Sequence, residues 1–377
     1  MEKINIMFLY SSKGFGGIVR NLSLIVNNLN RELFNIVVVA LTNENDTESS
    51  ISLVSNKSVI FYRIDDYKKL DFNIIRRLKE LAISHKIDIL SCHGYKADIY
   101  GAVISGFYKR NFKLFAMIHG WIAPEPKFYL YNMLDRIVLR RFDKIIYVSK
   151  NLLKQVPIFK NCPDKVVVIE NAIDINEFKK GPKPDSVRAE LGLGKEDVVV
   201  GFVGRLSKEK GAKTVLDALG TAPAASENIK LILAGDGPQR KELERRARDL
   251  GVSKKVIFLG HRKDIKNIYN AMDVYVSASL REGFPNSVLE AQSAGVPCIV
   301  TDIGGNNDII QDGINGLLVK PGDYRDMSKK LSLLIKDKKL REKFIEEGER
   351  MAISRFSLKD RIRKLEELYT MTVRERS

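Results

Sequence analysis

The chain has 377 residues, of which 44% are hydrophobic and 29% are charged, and its formal net charge is +16. A single hydrophobic core stops growing at roughly 250–300 residues, so the length predicts two domains, and the composition excludes a disordered protein. The three cysteines are far apart and form no CxxC pair, which argues against a disulfide framework and favours reduced thiols in a cytoplasmic protein.

Short β-branched runs alternate with helical patterns in the first half, which is typical of a parallel sheet wrapped by helices. The first run, INIMFLY, is interpreted as a strand and not as a signal peptide, because Glu2 stands where a basic region would be. It leads through a glycine loop to the helix VRNLSLIVNNL. The runs NIVVVAL, SVIFYRI, IDILSCH, KLFAMIH, KIIYVS and KVVVIE follow, with a helix at FNIIRRLKELAISH. None approaches the roughly 18 apolar residues that cross a bilayer, so we expect no membrane span.

A proline- and glycine-containing break at residues 181–186, GPKPDS, separates this series from a second one. VVVGFVG, IKLILAG, VIFLG, VYVSA, CIVTD and GLLV alternate with helices at TVLDALG, QRKELERRARDLG and SVLEAQSAG, and a helical tail starts near Leu358. We predict an α/β protein with doubly wound, Rossmann-like domains at 1–180 and 187–356 and a C-terminal helix at 357–377. Such domains bind ligands at the carboxyl ends of their strands.

The positive charge is spread over both halves of the chain and leaves several explanations open. It could serve solubility, attract an anionic nucleotide, bind nucleic acid, or contact an anionic leaflet, where each nearby Lys or Arg contributes on the order of 1 kcal/mol. A solvated helix face is the commoner explanation of any single basic run. The local clusters that favour the membrane are Lys68, Lys69, Arg76, Arg77 and Lys79, and Lys109, Arg110 and Lys113.

A glycine loop after the first strand contains Gly14, Gly16 and Gly17. Val19 stands in place of the third glycine of GxGxxG, so a dinucleotide site is not supported, and no GxxxxGK[ST] occurs. Glycines still let backbone amides approach a ligand, and the helix behind them favours phosphate at its N-terminus.

Two further loops carry candidate binding residues in the second half. In GFVGRLSKEKG, Arg205 and Lys210 follow a strand and a glycine turn, which would place two cations where a diphosphate could lie. In AGDGPQRKELE, Gly235, Asp236 and Gly237 form a tight turn that a plain strand-to-helix connection would also explain.

The segment EGFPNSVLE places Glu282 before a Gly-Phe-Pro-Asn turn and Glu290 in the helix that follows. The two carboxylates are far enough apart to engage two parts of one elongated ligand, such as a sugar ring and a ribose. Carboxylates bind sugar hydroxyls through strong charge-assisted hydrogen bonds.

These motifs occur together in a known order. GFVGRLSKEKG, AGDGPQRKELE, FLGHRKDI, EGFPNSVLEAQSAGVPCIVTDIGG and DGINGLLV resemble the retaining glycosyltransferases of family 4, of the group 1 type. FGGIVRNLSLIVNNL, ILSCHGYKAD, MIHG and VIENAIDINEF extend the resemblance over nearly the whole chain. It implies the GT-B fold, in which two Rossmann-like domains face each other across a cleft and the C-terminal helix returns to the first domain.

The resemblance also implies a role for each matching residue. Arg205 and Lys210 would neutralise the donor diphosphate, Glu282 would hold donor-sugar hydroxyls, and His119 would contact the outer hydroxyls of that sugar. Glu290 would bind the ribose, and His93 would lie near the acceptor. The implied donor-binding residues are Gly16, Gly17, Gly204, Gly235, Asp236, Gly237, Arg262, Gly283, Phe284, Pro285, Asn286 and Glu290.

Three positions depart from the family pattern. Ala172 replaces a glycine, Asp308 occupies the place of a glutamate, and Ser91 replaces the first histidine of the usual pair.

The sequence has no DxD motif of the kind that anchors a divalent ion on a nucleotide sugar, so neither a metal nor another cofactor is expected. The resemblance favours a same-face substitution in which Glu282 binds the sugar and is not the nucleophile of a double displacement.

The expected activity is transfer of a hexose or N-acetylhexosamine from a nucleotide sugar, with UDP favoured. The expected acceptor is a glycan or lipid-linked glycan of cell-surface polysaccharide synthesis, met in the cytoplasm or at the inner face of the membrane. An epimerase or inverting transferase of the same fold is an alternative. A non-catalytic nucleotide- or nucleic-acid-binding protein is a more distant one, because a basic groove with interleaved aromatic residues is not evident.

Overall fold

The computed structural model describes residues 2–11, 17–42, 58–67, 70–107, 112–120, 133, 137–155, 162, 164–181, 185–221 and 228–375. The chain divides into two compact units. The first unit contains Met1–Asn171 and Leu358–Ser377, and the second unit contains Ala172–Ser357.

The first unit is built on a seven-stranded sheet whose described pairings are all parallel, in the order β3-β2-β1-β4-β5-β6-β7. Its strands are β1 (Ile4–Ser11), β2 (Phe34–Thr42), β3 (Ile60–Asp65), β4 (Ile89–His93), β5 (Lys113–Ile118), β6 (Lys144–Tyr147) and β7 (Val166–Val168). Its described helices are α1 (Gly17–Asn28), α2 (Phe72–Ser84), α3 (Tyr95–Phe107) and α4 (Lys150–Gln155).

The second unit has a six-stranded parallel sheet in the order β10-β9-β8-β11-β12-β13. Its strands are β8 (Val198–Val203), β9 (Ile229–Ala234), β10 (Val256–Gly260), β11 (Val274–Ser277), β12 (Cys298–Thr301) and β13 (Leu317–Val319). Its described helices are α5 (Ile175–Phe178), α6 (Asp185–Glu190), α7 (Ala212–Thr221), α8 (Arg240–Asp249), α9 (Ile265–Asn270), α10 (Asn286–Ser293), α11 (Gly304–Asn307), α12 (Tyr324–Lys336) and α13 (Lys338–Arg355).

Both sheets are doubly wound, which confirms the predicted fold class. Parallel strands need crossover connections, and helices that cover both faces bury β-branched runs such as VVVGFV of β8. The strand order reverses between β1 and β4 in one sheet and between β8 and β11 in the other. Ligands of open α/β sheets bind at such a switch point, beyond the carboxyl ends of the strands.

The helix α14 (Leu358–Arg374) belongs to the first unit and confirms the predicted helical tail. Its Tyr369 ring is fully buried and meets Phe115 edge-on, with the ring centroids 5.2 Å apart. The Glu366 carboxylate accepts a hydrogen bond from the backbone N–H of Asn30 at 2.7 Å. These contacts fix α14 against the first sheet.

The structural division falls after Asn171, earlier than the predicted boundary at Lys180. The reason lies in backbone bonds: the Ile173 amide donates to Phe356 O at 3.4 Å and the Lys180 amide donates to Ser293 O at 3.1 Å. Residues 172–180 are therefore bonded into the second unit. No helix among the described residues is long and apolar enough to cross a membrane.

Candidate active site

The switch point of the second sheet brings the predicted cation loop next to the EGFPNSVLE segment. Gly204 and Arg205 follow β8 directly, while Ser279 and Glu282 follow β11, its neighbour in the sheet. The carboxyl ends of parallel strands share one edge of a sheet, so both loops lie at that edge.

Glycines allow the backbones at the ends of β8, β9 and β10 to approach each other closely. A Cβ on Gly235, whose φ is +140°, would lie 1.9 Å from Gly204 O, and the Gly235 amide donates to Gly260 O at 2.8 Å. A Cβ on Gly237 would lie 2.5 Å from Leu206 O. Backbone packing alone thus requires glycine at 235 and 237, and their donor-binding role stays a prediction.

Lys210 and Glu282 form an ion pair, with Lys210 Nζ 2.5 Å from Glu282 Oε1. The Ser279 hydroxyl donates to the same Oε1 at 2.7 Å. The Lys210 side chain is 31% exposed and that of Glu282 11%, so the pair is partly shielded from water. Two residues with separate predicted roles are therefore in direct contact.

Close backbone packing holds this pair in place. A Cβ on Gly211, whose φ is +69°, would lie 2.0 Å from Ala278 O. The Leu280 amide also donates to Glu209 O at 2.7 Å. The loop that carries Lys210 is thereby bonded to the loop that carries Glu282.

Among the described residues Arg205 has no side-chain partner, in contrast to Lys210. Its side chain is exposed, and within the described ranges it forms neither a salt bridge nor a side-chain hydrogen bond. This guanidinium is free to bind an anion with two parallel hydrogen bonds.

A buried support under Glu282 was missed by sequence reasoning. The Thr301 hydroxyl donates to Ser279 O at 2.6 Å, and the Asn306 amide donates to Thr301 O at 2.7 Å. A Cβ on Gly305 would lie 2.7 Å from Gly283 O. The available signal was the segment TDIGGNN, in which a strand end is followed by two glycines and two amides.

The turn that follows Glu282 leads into α10 by way of Phe284 and Pro285. Phe284 is buried against Phe356, with ring centroids 5.5 Å apart, so only its backbone can shape a pocket. Both amide atoms of the Asn286 side chain are buried, and neither has a hydrogen-bond partner among the described residues. A buried amide without a partner is costly, which is typical of a binding position.

Glu290 lies on α10 with only 1% of its surface exposed. Its Oε2 accepts from the Tyr269 hydroxyl at 2.9 Å. The second glutamate of the motif is thus much more deeply buried than the first, and ribose binding by Glu290 stays a prediction.

The Arg262 guanidinium is engaged by two carboxylates, at 2.7 Å from Asp264 and 2.5 Å from Glu190. These hydrogen bonds raise the pKa of Arg262 further above its ordinary value. Asp236 likewise faces Arg240 at 3.2 Å. The predicted donor contacts of Arg262 and Asp236 stay predictions, since both side chains are engaged by partners within the protein.

In the first unit the structure brings the predicted acceptor-side and sugar-side histidines together. His93 Nδ1 lies 3.1 Å from His119 Nε2, and His93 Nε2 lies 3.2 Å from the Ser91 hydroxyl. Burial, with a smaller effect from Arg361, lowers the pKa of His93 to about 3. Burial, then His93 and Arg361, hold the pKa of His119 well below its usual range. Both rings are therefore neutral near pH 7.

Arg361 is a second residue that sequence reasoning missed. It comes from α14, is 3% exposed, and donates from Nη1 to Asn21 Oδ1 at 3.0 Å. Asn21 in turn donates to Gly17 O at 3.0 Å, in the first turn of α1. The signal was its spacing with Leu358 and Leu365 on the apolar face of the helix. Gly16, which is predicted beside Gly17, lies outside the described residues.

Two family models match the chain. The model described as "Glycosyltransferase Family 4" matches residues 15–177, and the model described as "Glycosyl transferases group 1" matches residues 184–351. The chain belongs to the family 4, group 1 glycosyltransferases.

Two named relatives and one solved structure are similar to this glycosyltransferase over most of its length. It is 27% identical over 322 residues, 79% of each chain, to the UDP-Gal:alpha-D-GlcNAc-diphosphoundecaprenol alpha-1,3-galactosyltransferase of Escherichia coli. It is 26% identical to the capsular polysaccharide biosynthesis glycosyltransferase CapM of Staphylococcus aureus, over 79% of this chain and 81% of that one. The crystal structure of Anabaena HepE in complex with UDP-glucose superimposes with a TM-score of 0.85 at 24% identity, over 98% of this chain and all of that one. The last comparison shows that this glycosyltransferase has the GT-B fold.

Among its described residues, the second unit of the glycosyltransferase therefore presents the unpaired Arg205, the paired Lys210 and the largely buried Glu282 carboxylate at the carboxyl edge of its sheet. Within the described parts of the chain, no three His, Cys, Asp or Glu residues are grouped as metal ligands. The first unit presents neutral imidazoles. Such groups can bind a diphosphate and orient sugar hydroxyls by hydrogen bonds.

Proposed function

We propose that this glycosyltransferase transfers a hexose or an N-acetylhexosamine from a UDP-sugar to a glycan or lipid-linked glycan in cell-surface polysaccharide synthesis, with retention of anomeric configuration and without a metal ion. The observation that carries the proposal is the Lys210–Glu282 pair at the switch point, on the same sheet edge as the loop of Arg205, which has no partner among the described residues. The E. coli relative supports the donor and acceptor classes, since its name states UDP-Gal and a diphosphoundecaprenol-linked sugar.

The donor diphosphate binds to Arg205 and Lys210 in this proposal. Lys210 exchanges part of its interaction with Glu282 for a phosphate oxygen, which leaves Glu282 free to accept hydrogen bonds from sugar hydroxyls. Cations that face the leaving diphosphate stabilise the charge that develops there, and such preorganised electrostatic stabilisation is usually the largest catalytic effect. The buried Asn286 amide supplies a further donor and acceptor beside this loop.

The reaction is a same-face substitution. The bond from the anomeric carbon to the diphosphate oxygen breaks, and the bond to the acceptor oxygen forms on the same face of the sugar. The acceptor hydroxyl proton passes to the leaving phosphate oxygen. Glu282 binds sugar hydroxyls and does not attack in this proposal, and its Oε1 keeps the hydrogen bond from the Ser279 hydroxyl at 2.7 Å when Lys210 turns to the phosphate.

Nucleoside diphosphate release tests the proposal. The purified enzyme is incubated with UDP-, GDP- and ADP-sugars and with diphosphate-lipid-linked sugar acceptors. We expect UDP release from at least one UDP-sugar and no effect of EDTA. The anomeric proton NMR signal of the product should show the same anomeric configuration as the donor sugar. Glu282→Ala should lose activity by about 10²-fold or more, whereas the exposed control Glu342→Ala should not.

The absence of UDP release from every donor and acceptor combination would refute the donor class. An inverted product would refute retention, and inhibition by EDTA that added Mg²⁺ reverses would refute metal independence.

We further propose peripheral contact of the first unit with an anionic membrane surface. Phe72, at the start of α2, is 75% exposed, and Tyr67 and Leu70 just before it are exposed too. Arg76 and Arg77 follow on the same helix, so apolar and basic groups lie side by side. Lys68, Lys69, Lys109 and Arg110 of the predicted basic clusters lie outside the described residues.

A further inference from the structure

A small cavity of about 250 Å³ opens at the amino-terminal edge of the first sheet, where β1, β2 and β3 begin and α2 ends. Among the described residues, its polar groups come from Lys3, Asn5, Arg31, Asn35, Ser58 and His85. The strand β1 has eight residues at about 3.3 Å each, so the cavity lies roughly 25 Å from the carboxyl edge of the same sheet. A small ligand in this cavity therefore does not touch a substrate bound at that edge.

Hydrogen bonds within the protein fix the polar walls of the cavity. Asn5 and Asn35 are neighbours across β1 and β2, and the Asn35 side-chain amide donates to Asn5 Oδ1 at 2.9 Å. The Asn5 side-chain amide donates in turn to Lys86 O at 3.0 Å. The Tyr62 hydroxyl lies 2.9 Å from His85 Nε2, which orients the imidazole ring. These walls are thus formed before any ligand binds.

Arg31 is the member of this group whose hydrogen bonds are incomplete. Its Nη2 donates to Val26 O in the last turn of α1. Its Nε and Nη1 are buried and have no hydrogen-bond partner among the described residues. A guanidinium has five N–H donors in a rigid fork, and buried donors without acceptors are costly. An oxyanion in the cavity would supply the missing acceptor oxygens.

The charge of the cavity is positive. Lys3 and Arg31 line it, neither forms a salt bridge with a described residue, and its described lining contains no Asp or Glu. The Asp88 carboxylate, which contacts Asn5, accepts from the backbone N–H of that residue at 2.8 Å. A phosphate monoester carries a charge of about −1.5 to −2 at neutral pH, which matches the two cations.

The size of the cavity limits the ligand. Pockets for drug-sized ligands measure roughly 300–1,000 Å³, and this cavity is smaller, at about 250 Å³. A whole nucleotide sugar is therefore excluded, whereas a phosphate group with a few attached carbon atoms fits.

We propose that this cavity is a second binding site, for a phosphate group that is free, carried by a small molecule or exposed on a lipid. Arg31 and Lys3 supply the positive charge, and the Ser58 hydroxyl supplies a neutral donor. The site does not depend on the proposed function, because none of its residues belongs to the candidate active site.

Isothermal titration calorimetry of the full-length protein with inorganic phosphate and with glycerol 3-phosphate tests the site. Arg31→Met should weaken binding by at least about 10-fold and Lys3→Met severalfold, because charge-assisted hydrogen bonds are lost. Two controls should leave this binding unchanged. Arg205→Met removes a cation of the candidate active site, and Arg245→Met removes an exposed cation of α8.

Sedimentation with phosphatidylcholine vesicles, with and without phosphatidic acid, distinguishes the sources of the phosphate group. Binding of the soluble probes that depends on Arg31 assigns the site to a small phosphate compound. Sedimentation that depends on both phosphatidic acid and Arg31, without binding of the soluble probes, assigns it to a lipid head group. Thermal unfolding gives an independent measurement, since the bound probe should raise the Tm of the wild type and not that of Arg31→Met.

The absence of binding in every arm would overturn the proposal. Equal binding by the wild type and Arg31→Met in both arms would overturn it too, because the phosphate would then be held elsewhere. If Arg31→Met does not fold, the exposed Lys3 takes its place, and unchanged binding by Lys3→Met overturns the proposal.

Discussion

Breaking the Lys210–Glu282 ion pair should reveal a coupling energy between the two side chains. At 2.5 Å two unit charges attract by about 6.6 kcal/mol at an effective dielectric constant of ~20 and by about 1.7 kcal/mol in water. Desolvation and side-chain ordering cancel much of this attraction, so for a pair with side chains 31% and 11% exposed we expect a net coupling of about 1–2 kcal/mol.

A double-mutant cycle in urea denaturation measures this coupling. Lys210→Met leaves the Glu282 carboxylate without its cation, and Glu282→Gln leaves the ammonium without its anion. The double variant leaves neither charge, so its loss of unfolding free energy should be smaller than the sum of the single losses by the coupling energy. In the transferase assay Lys210→Met should lower kcat by about 10²–10³-fold, since a diphosphate-facing donor is removed.

The matched control is the exposed pair Lys338–Glu342 on α13, with Nζ and Oε1 3.7 Å apart. Its coupling should not exceed about 0.5 kcal/mol. Single losses at Lys210 and Glu282 that add within about 0.3–0.5 kcal/mol would refute the reasoning, because the two side chains would then not interact.

Three further outcomes follow from packing, protonation and surface exposure. Gly235→Ala should destabilise the second unit by about 3 kcal/mol, because the new Cβ would collide with Gly204 O. The control Gly251→Ala, at φ +68° with open space around it, should cost about 1 kcal/mol, and urea denaturation compares the two variants. Below about pH 6.5 the unfolded chain protonates His93, whereas the folded chain does so only at about pH 3. As the pH is lowered from 6.5 to 3, His93 should therefore reduce the free energy of unfolding by up to about 1.4 kcal/mol per pH unit. Phe72→Ser should reduce sedimentation with anionic vesicles severalfold and leave transfer to a water-soluble acceptor unchanged.

Each of these outcomes can be contradicted. Equal losses for the two glycine variants would show that the collision with the carbonyl is relieved elsewhere. A pH slope that is the same in His93→Gln as in the wild type would exclude the buried imidazole as its cause. Unchanged sedimentation of the Phe72 variant would exclude α2 as the membrane contact.

The fold could be predicted from the sequence because local patterns and short connections determine it. The β-branched runs became parallel strands, and the pattern around Leu358 became α14. Strand order is not a local property. The strand β8 pairs with its successor β9 on one edge and with β11 on the other, and the second pairing could not be read from the runs themselves.

The candidate site was predicted as a set of residues but not as a set of contacts. Lys210 and Glu282 are far apart in sequence, so their ion pair required the sheet to form first. Arg361 stood within an amphipathic pattern, where a charged residue is ordinarily assigned to the solvated face. Its burial became evident only when α14 was seen to pack beside Asn21 in the first unit.

The chain route has a consequence for the order of events during synthesis. The second unit is one continuous stretch, whereas the first is interrupted and is completed only by residues that the ribosome adds after Ser357. Domains generally fold as they emerge, from the N-terminus onward. Here the first sheet emerges before Tyr369, whose ring packs against Phe8 and Phe115. The apolar face of that sheet therefore stays uncovered at this position, or is covered by a chaperone, until the second unit has been synthesised. The unit whose synthesis begins first is thus the unit whose folding is completed last.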